Sequence, residues 1–130
     1  MSTDTTPTPQ PTPEDNLVTT HHTLTLNDQT LAYTATTGTI LLHDEPQKEG
    51  KEEGRVPKTS IFFTAYTRDN TKLEQRPIIF AFNGGPGSSS VWLHMGLLGP
   101  YRVSLPADNT FAPPPFQLIP NQHTLLDHAD

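Results

Sequence analysis

Arg76-Pro-Ile-Ile-Phe-Ala-Phe-Asn-Gly-Gly-Pro-Gly-Ser-Ser-Ser-Val-Trp92 is a short apolar run that passes straight into glycines and serines. Residues 78–82 show too little polar alternation for a strand with one wet face, which predicts a strand covered on both sides. The Asn83-Gly84-Gly85-Pro86-Gly87 that follows carries almost no side-chain bulk. A strand ending in bare backbone is a means of aiming main-chain N–H groups at a ligand.

Three chemistries use Gly-rich loops after strands. A phosphate-binding P-loop needs Gly-Lys-Ser/Thr, its lysine neutralising phosphate charge. Ser88, Ser89 and Ser90 follow Gly87 with no lysine near, so that chemistry fails. A dinucleotide fingerprint wants a third glycine where Ser90 stands, and Pro86 stiffens the turn and removes a donor. An oxyanion hole needs two N–H groups where a carbonyl oxygen turns negative, and in α/β-hydrolases one donor follows the third strand. Position suits the third chemistry. Spacing alone leaves it level with a plain Gly-Pro-Gly turn that binds nothing.

Around this stretch the composition is thin. The 130 residues carry a net charge of −6, no cysteine, 14 prolines and 32% apolar side chains. The acidic balance without a basic patch argues against nucleic-acid binding. No disulfide framework and no thiolate metal site exist. No apolar run approaches the roughly 18 residues of a membrane span, so no membrane partner is expected. Residues 1–16 are Thr, Pro, Ser, Gln and acids. They bury nothing to offset chain entropy and lack the basic start and apolar core of a secretion signal, giving a disordered tail over 1–19 and a cytoplasmic setting as expectations.

The rest reads as strands and turns. Thr23-Leu-Thr-Leu-Asn27 alternates, Asn27-Asp28 supplies a turn, and Leu31-Ala-Tyr-Thr-Ala35 alternates again: a β-hairpin with Leu24 and Leu26 on one side. Residues 38–42 suggest a third strand behind Gly38, and 43–58 is a charged, solvated loop. Residues 59–67 are β-branched and aromatic, hence a strand, with turn chemistry in Arg68-Asp-Asn70. Residues 88–98 place Val91, Trp92, Met95 and Leu98 near helical spacing before Gly99-Pro100. Tyr101-Arg-Val103 is a short strand and 106–115 an irregular loop, and 121–130 a turn with Leu125 and Leu126 inward.

The Asn83-to-Ser90 motif, preceded by Arg76-Pro-Ile-Ile-Phe-Ala-Phe and followed by Gly99-Pro100, resembles the serine carboxypeptidase family, peptidase family S10. Ala65-Tyr66-Thr67 upstream and Val91-Trp92-Leu93-His94 downstream are similar to its bacterial branch. Asn121 to Asp130 is similar to the family's Asn-x-x-(Ser/Thr)-Leu-Leu-Asp stretch. The resemblance spans roughly residue 20 to the end.

It implies an α/β-hydrolase of which residues 20–130 form the N-terminal part: the first strands of a mixed sheet, an oxyanion loop and one short helix. It implies removal of single residues from peptide or protein C-termini by a Ser-Asp-His triad, without a cofactor or a metal. By the same resemblance the Gly85 N–H donates to the oxyanion, a contact worth about 2.7–4 kcal/mol of barrier. Asn83 through its side-chain amide and Gly84 through its N–H hold the substrate's terminal carboxylate, by charge-assisted bonds. The local alternative for Asn83 is a side chain that caps its own turn.

Two positions depart from the family. Leu97 stands where many members carry an acid that helps bind the carboxyl at acid pH, and Ser88 where eukaryotic relatives often have cysteine. His94 reads as a packing or surface histidine, since the family's base lies far beyond Asp130. His21 and His22 are neighbours on an alternating strand, pointing to opposite faces, which makes them poor metal ligands. Ser88, Ser89 and Ser90 read as caps of the following helix. No Gly-x-Ser-x-Gly nucleophile elbow occurs. The expectation is an N-terminal fragment of a serine carboxypeptidase, inactive alone. The alternative is a small non-catalytic module that binds peptide C-terminal carboxylates through Asn83, Gly84 and Gly85.

Overall fold

A computed structural model describes residues 14–44, 57–85, 87–106 and 113–130. Three long strands dominate: β1 (Asn16–Leu26), β2 (Gln29–His43) and β3 (Pro57–Arg68), hydrogen-bonded in the order β1-β2-β3. A second, two-stranded sheet pairs β4 (Tyr101–Val103) antiparallel with β5 (Leu118–Pro120), Arg102 opposite Ile119. Among the described residues, helical structure amounts to a single α turn, α1 (Val91–Leu93), a π turn at His94–Leu98, and 3-10 turns at Leu73–Gln75 and Leu125–Asp127.

This corrects the α/β-hydrolase expectation. Both sheets are antiparallel, and strands of 11, 15 and 12 residues outweigh one three-residue α turn. A parallel α/β sheet needs crossover connections of about a dozen or more residues, usually helical, and the described residues contain none. Residues 78–82, expected as a strand covered on both sides, join neither sheet. Their side chains stay in solvent, with Ile78 69%, Phe80 83% and Phe82 78% exposed. Among the described residues their backbone has one partner: Ile79 N–H donates to the Asp130 carbonyl (2.8 Å), while Asp130 N–H donates to the carbonyl of the preceding Pro77 (3.0 Å). An apolar run reads as buried only where the fold supplies something to bury it against.

The hairpin is found where alternation placed it. Asn27 and Asp28 both adopt left-handed backbone (φ 46° and 65°), the two-residue turn whose twist matches antiparallel strands. The two strands are much longer than the patterned cores. Gly38, read as the start of a separate strand, lies inside β2, because β1 passes close beside it. A Cβ there would fall 1.9 Å from the Asn16 carbonyl oxygen, and its φ is 148°. Gly38→Ala is therefore expected to strip β1 from β2 at that end. Amide hydrogen exchange would show faster exchange across 38–42, and unchanged protection there would refute the close approach.

The described residues form two compact units, one of residues 14–18, 37–44 and 57–63, the other of residues 19–36 with the described part of 64–130. In the first, Thr37 donates its hydroxyl to the Phe63 carbonyl, and Asp15 accepts from Leu41 N–H. An exposed ion pair joins Lys58 to Asp44 (2.8 Å), flanking the charged segment, of which 45–56 lie outside the described residues. Residues 16–19 of the expected tail belong to β1, and residues 1–13 are likewise outside the description.

The second unit holds the core. Leu24, Leu26, Leu31, Tyr33 and Leu126 bury together, with Ala35, Tyr66 and Tyr101 packed against them. Leu24 and Leu26 share a face as their spacing requires. Of the inward pair expected near the end, Leu126 is buried and Leu125 is 38% exposed. The Leu125–Asp127 turn starts at Thr124, whose hydroxyl accepts from Leu126 N–H and donates to the Leu98 carbonyl (2.9 Å). Gln122 clasps the hairpin turn, its amide reaching the Thr25 carbonyl and the Asn27 N–H.

Candidate functional site

The Gly-rich loop is built by its own backbone. Gly85 and Gly87 have φ of 82° and 80°, left-handed values that a side chain disfavours and glycine adopts freely. Ser88 N–H closes the turn on the Gly85 carbonyl (3.3 Å). A Cβ at Gly84, Gly85 or Gly87 would touch nothing within 4 Å, so packing demands no glycine here. Conformation does at Gly85 and Gly87. Neither a turn dihedral nor a neighbour requires it at Gly84.

Asn83 takes the local role. Its Nδ2 donates to the Ser89 carbonyl (2.7 Å), tying the two ends of the loop together. Its N–H donates to the Ser90 hydroxyl (3.3 Å). The amide side chain read as a carboxylate ligand is thus engaged as a brace. Among the described residues, the Gly84 and Gly85 N–H groups have no hydrogen-bond partner, and both glycines are exposed. Pro86 lies outside the described residues.

The serines differ from the expected caps. Ser89 accepts from Val91 N–H, Ser90 from Asn83 N–H, and Ser90 makes no side-chain cap of α1. Its carbonyl instead accepts from both Leu93 and His94 N–H (3.1 and 3.0 Å). The helix expected over 88–98 is one α turn followed by a π turn, in which Gly99 N–H reaches back to the His94 carbonyl (3.0 Å). Of the apolar positions expected on one face, Val91 and Trp92 are exposed at 45% and 74%, while Met95 and Leu98 are half-buried.

Three anchors around the loop escaped the motif reading. Arg76 donates from Nε to Asp130 Oδ1 (3.0 Å) and from Nη2 to the Leu126 carbonyl (2.8 Å), with both members of the ion pair nearly buried. Arg68 N–H donates to the same Asp130 oxygen (2.8 Å). Asn121, 1% exposed, sends Nδ2 to the Leu97 and Gly99 carbonyls (2.7 and 2.8 Å) and accepts from His123 N–H. Tyr66 and His94 share a hydrogen bond between Oη and Nε2. An Arg and an Asp 54 positions apart carry no local pairing signal. Asn121 signalled itself only through the similarity of 121–130 to a family stretch.

His21 and His22 diverge as expected. His21 Nδ1 meets Thr34 Oγ1 (3.0 Å), whose hydroxyl donates to Asp69 (2.7 Å). His22 meets Thr20 and stacks on Tyr33 with centroids 5.3 Å apart. An open depression is lined by His21, His22, Thr23, Ala32 and Asp69, and none of the loop residues lines it. No cluster of three His, Cys, Asp or Glu with metal-binding proximity occurs among the described residues. No helix among them is long and apolar enough to cross a membrane.

The tyrosines beside the loop's downstream turn are titration-resistant. Burial, then the neighbouring Tyr101 and Tyr66, push the Tyr33 phenol up to about 12, and burial raises Tyr66. Burial lowers His94 below its ordinary value. The chain matches no family model, no curated protein and no solved structure.

Proposed function

We propose that the loop over 83–87 binds the free carboxylate of a peptide C-terminus, in the service of a serine-type carboxypeptidase activity. The observation that carries this reading is the pair of exposed N–H groups at Gly84 and Gly85, without a partner among the described residues, on a braced, left-handed turn. Two such donors suit an anion, either a terminal carboxylate or a carbonyl oxygen turning negative. The resemblance of Asn83 to Ser90 to the serine carboxypeptidase motif supports the same assignment. In this reading Gly85 N–H serves the oxyanion, Gly84 N–H holds the carboxylate, and Asn83 positions both through Ser89. The nucleophile and its base come from outside these 130 residues, and a cytoplasmic setting belongs to the proposal, in keeping with the cysteine-free composition.

One observation favours a non-catalytic carboxylate-binding module as the second reading. Ser89 and Ser90 spend their hydroxyls accepting from Val91 and Asn83 N–H. Neither serine is hydrogen-bonded to a histidine, as an activated nucleophile would be.

Isothermal titration with a short peptide and its C-terminally amidated form tests the shared step. Bonds to a charged group contribute about 1.5–3 kcal/mol each, so the free acid is expected to bind at least about tenfold more tightly. Gly84→Ala, which meets no neighbour, is expected to leave folding unchanged and to weaken the free acid alone by crowding its approach. Equal affinity for both peptides defeats the carboxylate assignment. Release of a C-terminal residue by this chain would defeat the assignment of the nucleophile to outside it.

A further inference from the structure

We propose that Asn83-Gly84 is a self-modifying site: the Gly84 backbone nitrogen displaces ammonia from the Asn83 side chain, and the loop converts with time into aspartyl and isoaspartyl forms. An asparagine side chain and the next residue's amide nitrogen stand one ring closure apart. Two things hold that closure back: a side chain on the next residue, which crowds the nitrogen, and a hydrogen bond that occupies its N–H.

Neither restraint operates at Gly84. The chain holds six asparagines, and only Asn83 precedes a glycine; the others precede Leu17, Asp28, Thr71, Thr110 and Gln122. Gly84 is exposed, and its N–H has no partner among the described residues. A Cβ placed on it would meet nothing within 4 Å, so water and hydroxide reach the nitrogen freely. Asn121 is the opposite case. It is 1% exposed, and its amide is committed to the Leu97 and Gly99 carbonyls and to His123 N–H.

The step balances with water alone. Gly84 N–H gives its proton to hydroxide, the nitrogen bonds to Asn83 Cγ, and the Cγ–Nδ2 bond breaks. The departing nitrogen takes a proton from water and leaves as ammonia, and nothing is oxidised or reduced. Water then opens the resulting cyclic imide at either carbonyl. Opening at Cγ gives aspartate. Opening at the main-chain carbonyl breaks its bond to the Gly84 nitrogen and gives isoaspartate, in which the chain runs through Cγ.

One contact opposes closure. The Nδ2 bond to the Ser89 carbonyl (2.7 Å) must open before the side chain can turn to Gly84. It joins two neutral groups on an exposed loop, so it slows the reaction by about tenfold at most.

Both products put a carboxylate where the amide stood. Its oxygens meet the Ser89 carbonyl acceptor to acceptor, so the brace across the loop is lost. Isoaspartate also lengthens the backbone by a carbon just before Gly84. The consequence for binding rests on the carboxylate reading; the modification itself does not. On that reading the new negative charge beside Gly84 and Gly85 repels a peptide carboxylate, and the loop carries a clock that ends its own binding.

The test keeps the purified chain in mildly alkaline buffer and follows intact mass and peptide maps, with isoaspartate read by isoaspartyl methyltransferase labelling. Asn83 is expected to convert ahead of every other asparagine and to yield isoaspartate as well as aspartate. Its rate in the folded chain should lie within about tenfold of that in the same chain unfolded in urea. Gly84→Ala should slow it severalfold.

Folded-state protection beyond about tenfold overturns the site, as does another asparagine leading, or aspartate forming without isoaspartate. The parent's own maps decide these points even where Gly84→Ala does not fold. Saturating free-acid peptide, which would occupy the Gly84 N–H, should slow conversion where the amidated peptide does not. Equal rates with both peptides defeat the carboxylate reading and leave the conversion of Asn83 standing.

Discussion

Arg76→Ala is expected to cost this chain about 3–5 kcal/mol of stability, the largest effect of any single substitution considered. Arg76 and Asp130 expose only 10% and 11% of their side chains, so neither ion has water to fall back on. Removing the guanidinium also frees the Leu126 carbonyl, whose residue is in the buried cluster. Asp130 would keep one N–H, from Arg68, against a full negative charge. Urea unfolding followed by Trp92 emission reads the loss as a fall in midpoint of about 1 M or more, given slopes of about 1–3 kcal/mol/M. Arg76→Lys retains charge without the forked geometry and should fall between the two. A loss under about 1 kcal/mol for Arg76→Ala would place the pair with solvent-screened surface bridges instead.

Asn121→Ala comes second, at about 2–3 kcal/mol. The change strands the Leu97 and Gly99 carbonyls and the His123 N–H together, each having bonded the same amide. Asn121→Asp should be worse than alanine, because a carboxylate would face two carbonyl oxygens where a donor stood. The readout is local: Gly99 N–H, bonded to the His94 carbonyl, should exchange faster by about 30-fold to about 150-fold. Unchanged Gly99 exchange would mean that the turn over 94–99 holds itself without Asn121.

What could be read from sequence divides by the range of the interaction. The β1–β2 hairpin was legible because alternation and an Asn-Asp turn are both local, and Leu24 and Leu26 bury as their spacing requires. The strand over 59–67 was legible for the same reason. Residues 78–82 misled because apolar content states a preference for burial and says nothing of whether neighbours exist to provide it. Gly38 misled in the opposite direction: a glycine can end a strand or admit a close neighbour inside one, and only the path of β1 decides. At the site, the left-handed turns at Gly85 and Gly87 follow from residue type. Asn83 facing Ser89 rather than outward depends on how the chain returns, which the motif alone does not encode. The Tyr66–His94 bond and the Arg76–Asp130 pair join positions 28 and 54 apart, beyond any periodicity.

Residues 78–82 also bear on how this protein behaves in the tube. Among the described residues, the Phe80, Ala81 and Phe82 amides have no hydrogen-bond partner, and alternate large side chains project into water. An apolar backbone with most of its amides unpaired is a template on which a second molecule can lay down its own. What opposes such stacking is long-range repulsion from the net charge of −6, which reaches only about 10 Å at 0.1 M salt. Colloidal stability should therefore fall as ionic strength rises, and dilute, low-salt buffers are the conditions under which single molecules persist.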